Sequence, residues 1–264
     1  MSKALKKFYV FLVFVFMYAP IVVLMVYSFN DSRSSSAVWR GFTFDWYVKM
    51  ASDAQMMKAL QTTLIIAISS AVIATLIGTL AAIGIHNMKK TPKNIVMNVT
   101  YLPVLSPDIV TGISLMLLFV VFLRIPLGRY SLLLAHITFN IPYVIISVLP
   151  KLTQLNKNMY EAALDLGATP LHAYWKIILP EILPGIVTGF LFALTLSIDD
   201  FVVSFFTSGA GATNLSIYIY SAVSKRYNPS INALSTIMFI VIFLLLVLIN
   251  SRTKEGAKKK AKND

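Results

Sequence analysis

The chain has 264 residues, of which 57% are apolar and 13% are charged, and its mean hydropathy is +0.75. A soluble domain of this length carries about 25% charged residues, so the composition indicates an integral membrane protein. Cysteine is absent, which excludes disulfides, thiolate nucleophiles and cysteine-ligated metal sites. The net charge of +12 does not indicate nucleic-acid binding, because the basic residues lie beside apolar segments, where they set orientation in the membrane.

Six apolar segments are long enough to cross a bilayer as helices, which predicts an all-α membrane protein with six transmembrane helices. The first segment follows residues Met1–Lys7, which include three lysines. It is longer than the apolar region of a signal peptide and has no small-residue cleavage site, so we expect it to be retained. The predicted spans are Phe8–Phe29, Gln61–Ile85, Ile95–Leu123, Ser131–Pro150, Ile182–Phe206 and Asn232–Asn250.

The third span contains a predicted break. Pro103 and Pro107 interrupt its apolar sequence. Ser106, Pro107 and Asp108 form the order expected for an N-cap, a first-position proline and an acidic first turn. The sequence therefore predicts a helix that stops near mid-membrane and restarts, with Pro107 as the first residue of the new helix.

A polar loop, residues 159–180, separates the fourth and fifth spans. Gly167 divides this loop, because glycine commonly ends a helix. Residues 159–166 are expected to form one short helix with Glu161 in its first turn, and Thr169-Pro170 to start a second one. Ala162 and Ala163 would offer a flat surface that another backbone can approach. An amphipathic connector resting on the lipid surface is the alternative interpretation.

Basic residues are distributed unequally between the two sides of this topology. The N-terminus, the loop between spans two and three, the whole segment between spans four and five (151–181) and the C-terminal tail hold fifteen Lys and Arg residues, and the opposite side holds eight. The positive-inside rule then places the polar loop and both termini in the cytoplasm. The predicted organisation is an N-terminal helix with its external loop (1–60), a transmembrane domain (61–250) and a basic, disordered tail (251–264).

The polar loop matches a spaced motif without departure: EAA, three residues, G, nine residues, I, one residue, LP. The motif falls on Glu161-Ala162-Ala163, Gly167, Ile177 and Leu179-Pro180. In this respect the chain resembles the membrane-spanning permease subunits of bacterial ABC importers. The resemblance implies a type I importer permease fold, without enzymatic activity or a bound cofactor of its own. It also implies that the EAA triplet and Gly167 dock on a cytoplasmic ATPase dimer, which uses ATP and magnesium.

Five shorter segments are similar to one branch of that family, the permeases of spermidine/putrescine importers. They are SFN at 28–30, SPDIV at 106–110, HITFNIP at 136–142, LSIDD at 196–200 and IYS at 219–221. This similarity implies a polyamine substrate and location in a bacterial plasma (inner) membrane, surrounded by lipid. It further implies two partners, which are a second homologous permease subunit and an extracellular or periplasmic polyamine-binding protein.

Independently of any family, the predicted spans contain acidic residues but no Lys or Arg. The acidic residues are Asp108, Asp199 and Asp200. A carboxylate at mid-helix costs at least about 2.5–3.5 kcal/mol, so such a group by default marks a pathway or a partner. Anionic substrates would require Arg, Lys or bare helix N-termini and would be repelled by carboxylates. The substrate is therefore expected to be a cation.

Each of the three carboxylates has its own alternative to a role in the pathway. Asp199 and Asp200 lie about 100° apart on a helix and cannot face the same line. Asp200 shares a polar stripe with Ser197, Ser204 and Ser208, which favours Asp200 as the residue facing the pathway. Asp199 could instead hydrogen-bond a neighbouring helix, and Asp108 could serve as a cap that complements the helix dipole.

Other polar and aromatic residues give weaker signals. Trp46 and Tyr220 could contact an ammonium group through cation–π interactions, although aromatic residues at a membrane interface more commonly act as anchors. His136 and Asn140 share one face of the fourth span. They are expected to hydrogen-bond between helices rather than to bind a metal, because no third ligand accompanies them.

Two other functional classes remain open. The sequence has no G-x-x-x-x-G-K-[ST] and no H-E-x-x-H, so energy must come from another subunit or an ion gradient. In a secondary transporter, Asp108 or Asp200 would carry a coupling proton, although inverted repeats would then be usual. An intramembrane hydrolase would need two converging carboxylates, which adjacent residues on a helix do not provide. An ABC permease for another cationic or small solute is the nearest alternative.

Overall fold

The computed structural model describes residues 3–32, 38–225 and 228–244. These residues are mostly helical, and their only β-type pairing is an isolated bridge between Asn30 and Phe42. The chain divides into two compact units, one formed by residues 1–58 and 219–264 and the other by residues 59–218. The predicted tail, residues 251–264, lies outside the described residues.

In the first unit, helices α1 (Lys3–Tyr27) and α2 (Asp45–Ser52) are joined by a hydrogen-bonded loop. The buried side chain of Asn30 donates to the carbonyl of Val38 (2.9 Å) and accepts from the N–H of Arg40 (2.8 Å). The indole N–H of Trp46 donates to the Asn30 carbonyl at 2.8 Å. These bonds connect α2 to the end of α1. Helix α12 (Ser230–Leu244) also belongs to this unit.

The second unit contains most of the remaining helices. In chain order they are α3 (Ala54–His86), α4 (Lys90–Leu105), α5 (Asp108–Leu117), α6 (Arg129–Gln154), α7 (Lys157–Asp165), α8 (Pro170–Ala173), α9 (Leu179–Asp199), α10 (Val202–Thr207) and α11 (Leu215–Lys225). Helix α3 begins, and α11 ends, in residues assigned to the first unit. π-helical turns extend α5 over Leu118–Phe122 and join α8 to α9 over Tyr174–Ile178.

The core of the second unit lies where α6 packs against α9 and α3. Val144 and Val148 of α6 are fully buried against Ile182 of α9. A Cβ at Gly78 would lie 2.7 Å from the Val144 Cβ, and one at Gly189 would lie 3.1 Å from its Cα. Small residues let helix backbones approach closely in lipid, where the hydrophobic effect does not drive helices together. The glycines of α3 and α9 therefore set the spacing of these helices.

Four helices are long and apolar enough to cross a membrane, and a bent pair of helices passes the same test together. The four are Leu5–Tyr27, Ala54–His86, Arg129–Gln154 and Pro170–Asp199. The pair is Lys90–Leu105 with Asp108–Phe122, bent by 107°. The sixth predicted span ends in residues 245–250, outside the described residues, and its described part is the shorter helix α12. Six spans therefore stay a prediction.

The bent pair confirms the predicted break in the third span. Helix α4 ends at Leu105 and α5 begins at Asp108, one residue after the expected start. The predicted cap is wrong, because the Ser106 hydroxyl donates back to the Leu102 carbonyl at 2.7 Å and Pro107 occupies the N-cap position. Bonding to the carbonyl four residues earlier competes with capping for a serine hydroxyl.

Candidate functional site

The first half of the polar loop forms helix α7 and ends as the sequence predicts. Gly167 has a φ of +85°, a conformation that glycine adopts without steric cost. The N–H of Ala168 donates to the Ala163 carbonyl (3.0 Å) and the N–H of Gly167 to the Leu164 carbonyl (2.9 Å). This pair of bonds is the Schellman motif, which satisfies the last carbonyls of a helix. Gly167 therefore terminates α7 through its backbone conformation.

Two details of the polar loop differ from the sequence expectation. Helix α7 starts at Lys157, after the Asn156 cap, so Glu161 lies beyond its first turn. Thr169 caps the next helix and Pro170 opens it, as predicted, with the Thr169 hydroxyl accepting from the His172 N–H at 3.4 Å. That helix is not a separate short element, because it continues through the π-helical turn and α9 to Asp199. The sequence after Pro180 is mostly apolar, and α9 continues through Pro184.

The motif residues of the polar loop are mostly accessible. Glu161, Ala162 and Gly167 are exposed, whereas Ala163 is buried. Leu166 is 90% exposed, which is unusual for an apolar side chain beside a helix end. The rings of Tyr160 and Tyr174 lie 5.3 Å apart and pack α7 onto the start of the long helix. The loop thus presents an exposed surface that includes apolar side chains.

A buried polar cluster lies between α6, α9 and α10, and the side chain of His136 is at its centre. His136 is 1% exposed. Its Nδ1 is 3.0 Å from the Ser197 hydroxyl on α9, and its Nε2 is 3.0 Å from the Ser204 hydroxyl on α10. The amide of Asn140 also donates to Ser197, at 2.8 Å. The expected interhelical hydrogen bonding of His136 and Asn140 is confirmed.

Asp200 joins this cluster at a break between α9 and α10. Helix α9 ends at Asp199, Asp200 is extended (φ −62°, ψ 122°), and α10 starts at Val202. The Asp200 carboxylate accepts from the N–H groups of Val203 (3.2 Å) and Ser204 (2.7 Å). It also lies 3.6 Å from His136 Nε2. The predicted continuous stripe of Ser197, Asp200, Ser204 and Ser208 is wrong, because the helix is interrupted in its middle.

The other two carboxylates have open surroundings. Asp199 is exposed at the last residue of α9, and Asp108 is exposed at the first residue of α5, next to the bend. All three acidic residues of the predicted spans thus lie at helix ends. Two of their carboxylates are exposed, whereas that of Asp200 is partly buried.

The two aromatic candidates lie in the first unit. Trp46 is 4% exposed, and the ammonium of Lys49 lies 4.3 Å from the centroid of its ring. A cation from the chain itself therefore occupies the Trp46 ring face. Tyr220 is 56% exposed on α11.

Asn214 is a cluster member that the sequence did not indicate. Its amide donates to the Ser204 hydroxyl at 2.8 Å and to the Asp200 carbonyl at 3.3 Å, and its oxygen accepts from the Ile217 N–H. Asn214 lies in a loop of small and polar residues with no periodicity. The one available signal was its position just before Leu215, where an Asn commonly caps a helix.

A bundle of apolar helices with an exposed motif loop between two spans defines a membrane permease subunit. The sequence profile described as "Binding-protein-dependent transport system inner membrane component" matches residues 74–252. The chain belongs to this family of ABC importer permeases, which are non-catalytic, multi-pass membrane subunits.

Named relatives extend over nearly the whole chain. It is 38% identical to the spermidine/putrescine transport system permease protein PotC of Haemophilus influenzae, over 96% of this chain and 97% of that protein. It is 40% identical to the putrescine transport system permease protein PotI of Escherichia coli, over 85% of this chain and 82% of that protein.

Solved structures share the fold. A chain of a bacterial ABC transporter involved in the import of the acidic polysaccharide alginate superimposes with a TM-score of 0.72, covering 96% of this chain and 94% of that one, at 21% identity. A chain of the MetNI methionine ABC transporter gives a TM-score of 0.60, covering 76% and 97%, at 19% identity.

Proposed function

We propose that this chain is a permease subunit of an ATP-driven importer of polyamines such as spermidine and putrescine. The observation that carries the proposal is its identity, 38% over 96% of the chain, with a permease named for those two substrates. Polyamines are linear cations, and the acidic residues of the spans support a cationic cargo. Another cationic or small solute is the alternative substrate within the same family.

The polar loop is proposed to dock on a cytoplasmic ATPase dimer. Its exposed surface includes Glu161, Ala162, Gly167 and Leu166, and α7 is held in place by the contact of Tyr160 with Tyr174. Closure of the ATPase dimer on ATP would move this loop and switch the spans between inward-open and outward-open arrangements. ATP and magnesium would act in the partner, and this chain would supply the docking surface without a cofactor of its own.

The transport path is proposed to be lined by exposed carboxylates. Asp108 and Asp199 each lie at a helix end and are exposed, so an ammonium group can reach them. Tyr220 adds an aromatic ring for cation–π contact. Trp46 is assigned more weakly to the path, because Lys49 covers its ring. Asp200 was predicted for the same path, but its carboxylate already accepts two backbone N–H groups.

Three further assignments complete the proposal. A second homologous permease subunit would form the other wall of the path, because importers of this family are built around two membrane subunits. A periplasmic or extracellular polyamine-binding protein would deliver the substrate. Both termini would lie in the cytoplasm, as the distribution of Lys and Arg indicates.

Reconstitution tests the proposed function directly. The complete complex, in proteoliposomes with the binding protein, should accumulate radiolabelled spermidine or putrescine only when ATP and magnesium are supplied on the ATPase side. Uptake driven by a proton gradient in the absence of ATP would instead identify a secondary transporter. ATP-dependent uptake of a different solute, with no polyamine uptake, would keep the permease assignment and overturn the substrate.

A further inference from the structure

The break between α9 and α10 leaves backbone N–H groups at the start of α10 that need hydrogen-bond acceptors. The first N–H groups of a helix have no carbonyl partner within it, and unsatisfied backbone groups are costly inside a membrane protein. Asp200 supplies both of its carboxylate oxygens to the N–H groups of Val203 and Ser204. Its charge is therefore engaged by the backbone of the helix that follows it.

His136 of α6 contacts both sides of this break. One ring nitrogen is 3.0 Å from Ser197 on α9, and the other is 3.0 Å from Ser204 and 3.6 Å from the Asp200 carboxylate. A lone pair on Nε2 would face that carboxylate, so the favoured neutral tautomer carries its proton on Nε2 and accepts from Ser197 at Nδ1. A single imidazole thus holds the two helix ends in one relative position.

Asp199 and Asp200 are adjacent in sequence but lie at opposite helix ends. Asp200 precedes the N-terminus of α10, where a negative charge is stabilised by the helix dipole and by N–H groups. Asp199 is the last residue of α9, where a carboxylate lies beside free carbonyl groups. That location is unfavourable for an anion and favourable for a cation near it. Asp199 is also exposed, whereas Asp200 is not.

We propose that His136 and Asp200 are positioning residues that fix the break between α9 and α10, and that this break leaves Asp199, and not Asp200, in contact with the transported cation. The second half rests on the proposed polyamine transport. The first half concerns this chain alone, so the two halves are tested by different measurements.

Cysteine labelling tests the positioning role, because the chain has no cysteine of its own. Val203 is buried on α10 against Leu115 and Phe119, so Val203→Cys introduces a thiol that is shielded while α10 stays in place. In the assembled complex, adding His136→Ala or Asp200→Ala should raise the rate of labelling by a charged thiol reagent at least about tenfold, because the hydrogen bonds that hold α10 are lost. Asp199→Asn is the matched control and should leave the rate at its Val203→Cys value.

Milder substitutions keep this test informative if an alanine variant fails to assemble. His136→Gln retains one donor and one acceptor, and Asp200→Asn retains one of the two acceptor oxygens. Labelling rates should therefore rise in the order parent, conservative variant, alanine variant. Equal labelling in all His136 and Asp200 variants would overturn the positioning role, whatever the substrate proves to be.

Uptake kinetics test the assignment of Asp199. Asp199→Asn should raise the KM for spermidine at least about fivefold with a smaller change in maximal rate, because it removes a charge that contacts the cation. Asp200→Asn should lower the maximal rate and keep KM within about twofold, because Asp200 acts through the conformation of α10. A KM that rises as much for Asp200→Asn as for Asp199→Asn would overturn the assignment. If the parent complex imports no polyamine, the proposed function fails, and the labelling result still decides the positioning role.

Discussion

At the scale of single residues, buried hydrogen-bonding side chains do most to define the local structure. Asn30 shows this in the first unit, where its one side chain satisfies the Val38 carbonyl and the Arg40 N–H. Each intramolecular hydrogen bond of this kind contributes about 0.5–1.5 kcal/mol net. The Asn30 amide therefore supports the segment after α1, together with the backbone bonds of Asp31 to Gly41 and of Thr43 to Phe29.

Asn30→Ala should destabilise this loop by about 1–3 kcal/mol, because both backbone groups lose their partner. Thermal unfolding of the purified complex in detergent, followed by intrinsic fluorescence, would measure the change. The matched control is Asn158→Ala, since the side chain of Asn158 is exposed on α7. If the two variants unfold at the same temperature, the Asn30 hydrogen bonds contribute nothing to stability.

The sequence predicted the role of a polar side chain where only one kind of hydrogen-bond partner was available to it. His136 and Asn140 were expected to bond between helices, because polar groups in a span require a partner, and they do. The engagement of Asp200 was not predictable, since it depends on a helix break that no Pro or Gly marks. For Trp46 the sequence left two roles open, cation–π contact with a substrate or anchoring at the membrane interface. Folding places Lys49, three residues later on the same helix, over its ring.

At the scale of elements, two helix boundaries in the polar loop were predicted well. Gly167 ends α7 and Pro170 opens the next helix, as their backbone preferences dictate. The length of the helix after Pro170 was not predicted. Pro184 does not mark the end of this helix either, because α9 continues through it.

Substitution of Gly167 should weaken coupling in an order set by the φ of +85°. Asn visits this region more easily than Ala, and Pro is excluded from it, so ATPase stimulation by the substrate-loaded binding protein should fall in the order Gly, Asn, Ala, Pro. The strain in the Ala variant amounts to about 1–2 kcal/mol. Phosphate release from the reconstituted complex is the measurement.

The matched control for this series is Gly84→Ala, because Gly84 lies within helix α3 and a Cβ there would contact nothing within 4 Å. That variant should couple like the parent. Full coupling in Gly167→Pro would contradict the assignment of the polar loop as the docking element.

At the scale of the whole molecule, composition alone predicted a helical membrane protein, and the motif spacing predicted its family. The number of spans was harder to predict, because hydropathy does not distinguish a straight span from two helices bent by 107°. The family is one of non-catalytic membrane subunits, and an energy source in another subunit stays a prediction.

The charge of the spans predicts selectivity between cations and anions of equal size. Unlabelled putrescine should compete with spermidine uptake, whereas succinate, a four-carbon dicarboxylate, should not compete at about a hundredfold higher concentration, because the carboxylates of the path repel it. Competition assays in the reconstituted system, in the presence of the binding protein, would measure this. Inhibition by succinate at the concentrations at which putrescine acts would argue against an acidic path.

The uninterrupted helix from Pro170 to Asp199 has a mechanical consequence. Its 30 residues, at 1.5 Å each, make a rod about 45 Å long, with the polar loop at one end and Asp199 at the other. A tilt of about 5° around the middle of such a rod displaces each end by about 2 Å in opposite directions. A small displacement on the ATPase side would then be transmitted along this one helix to Asp199, without a conformational change in another element.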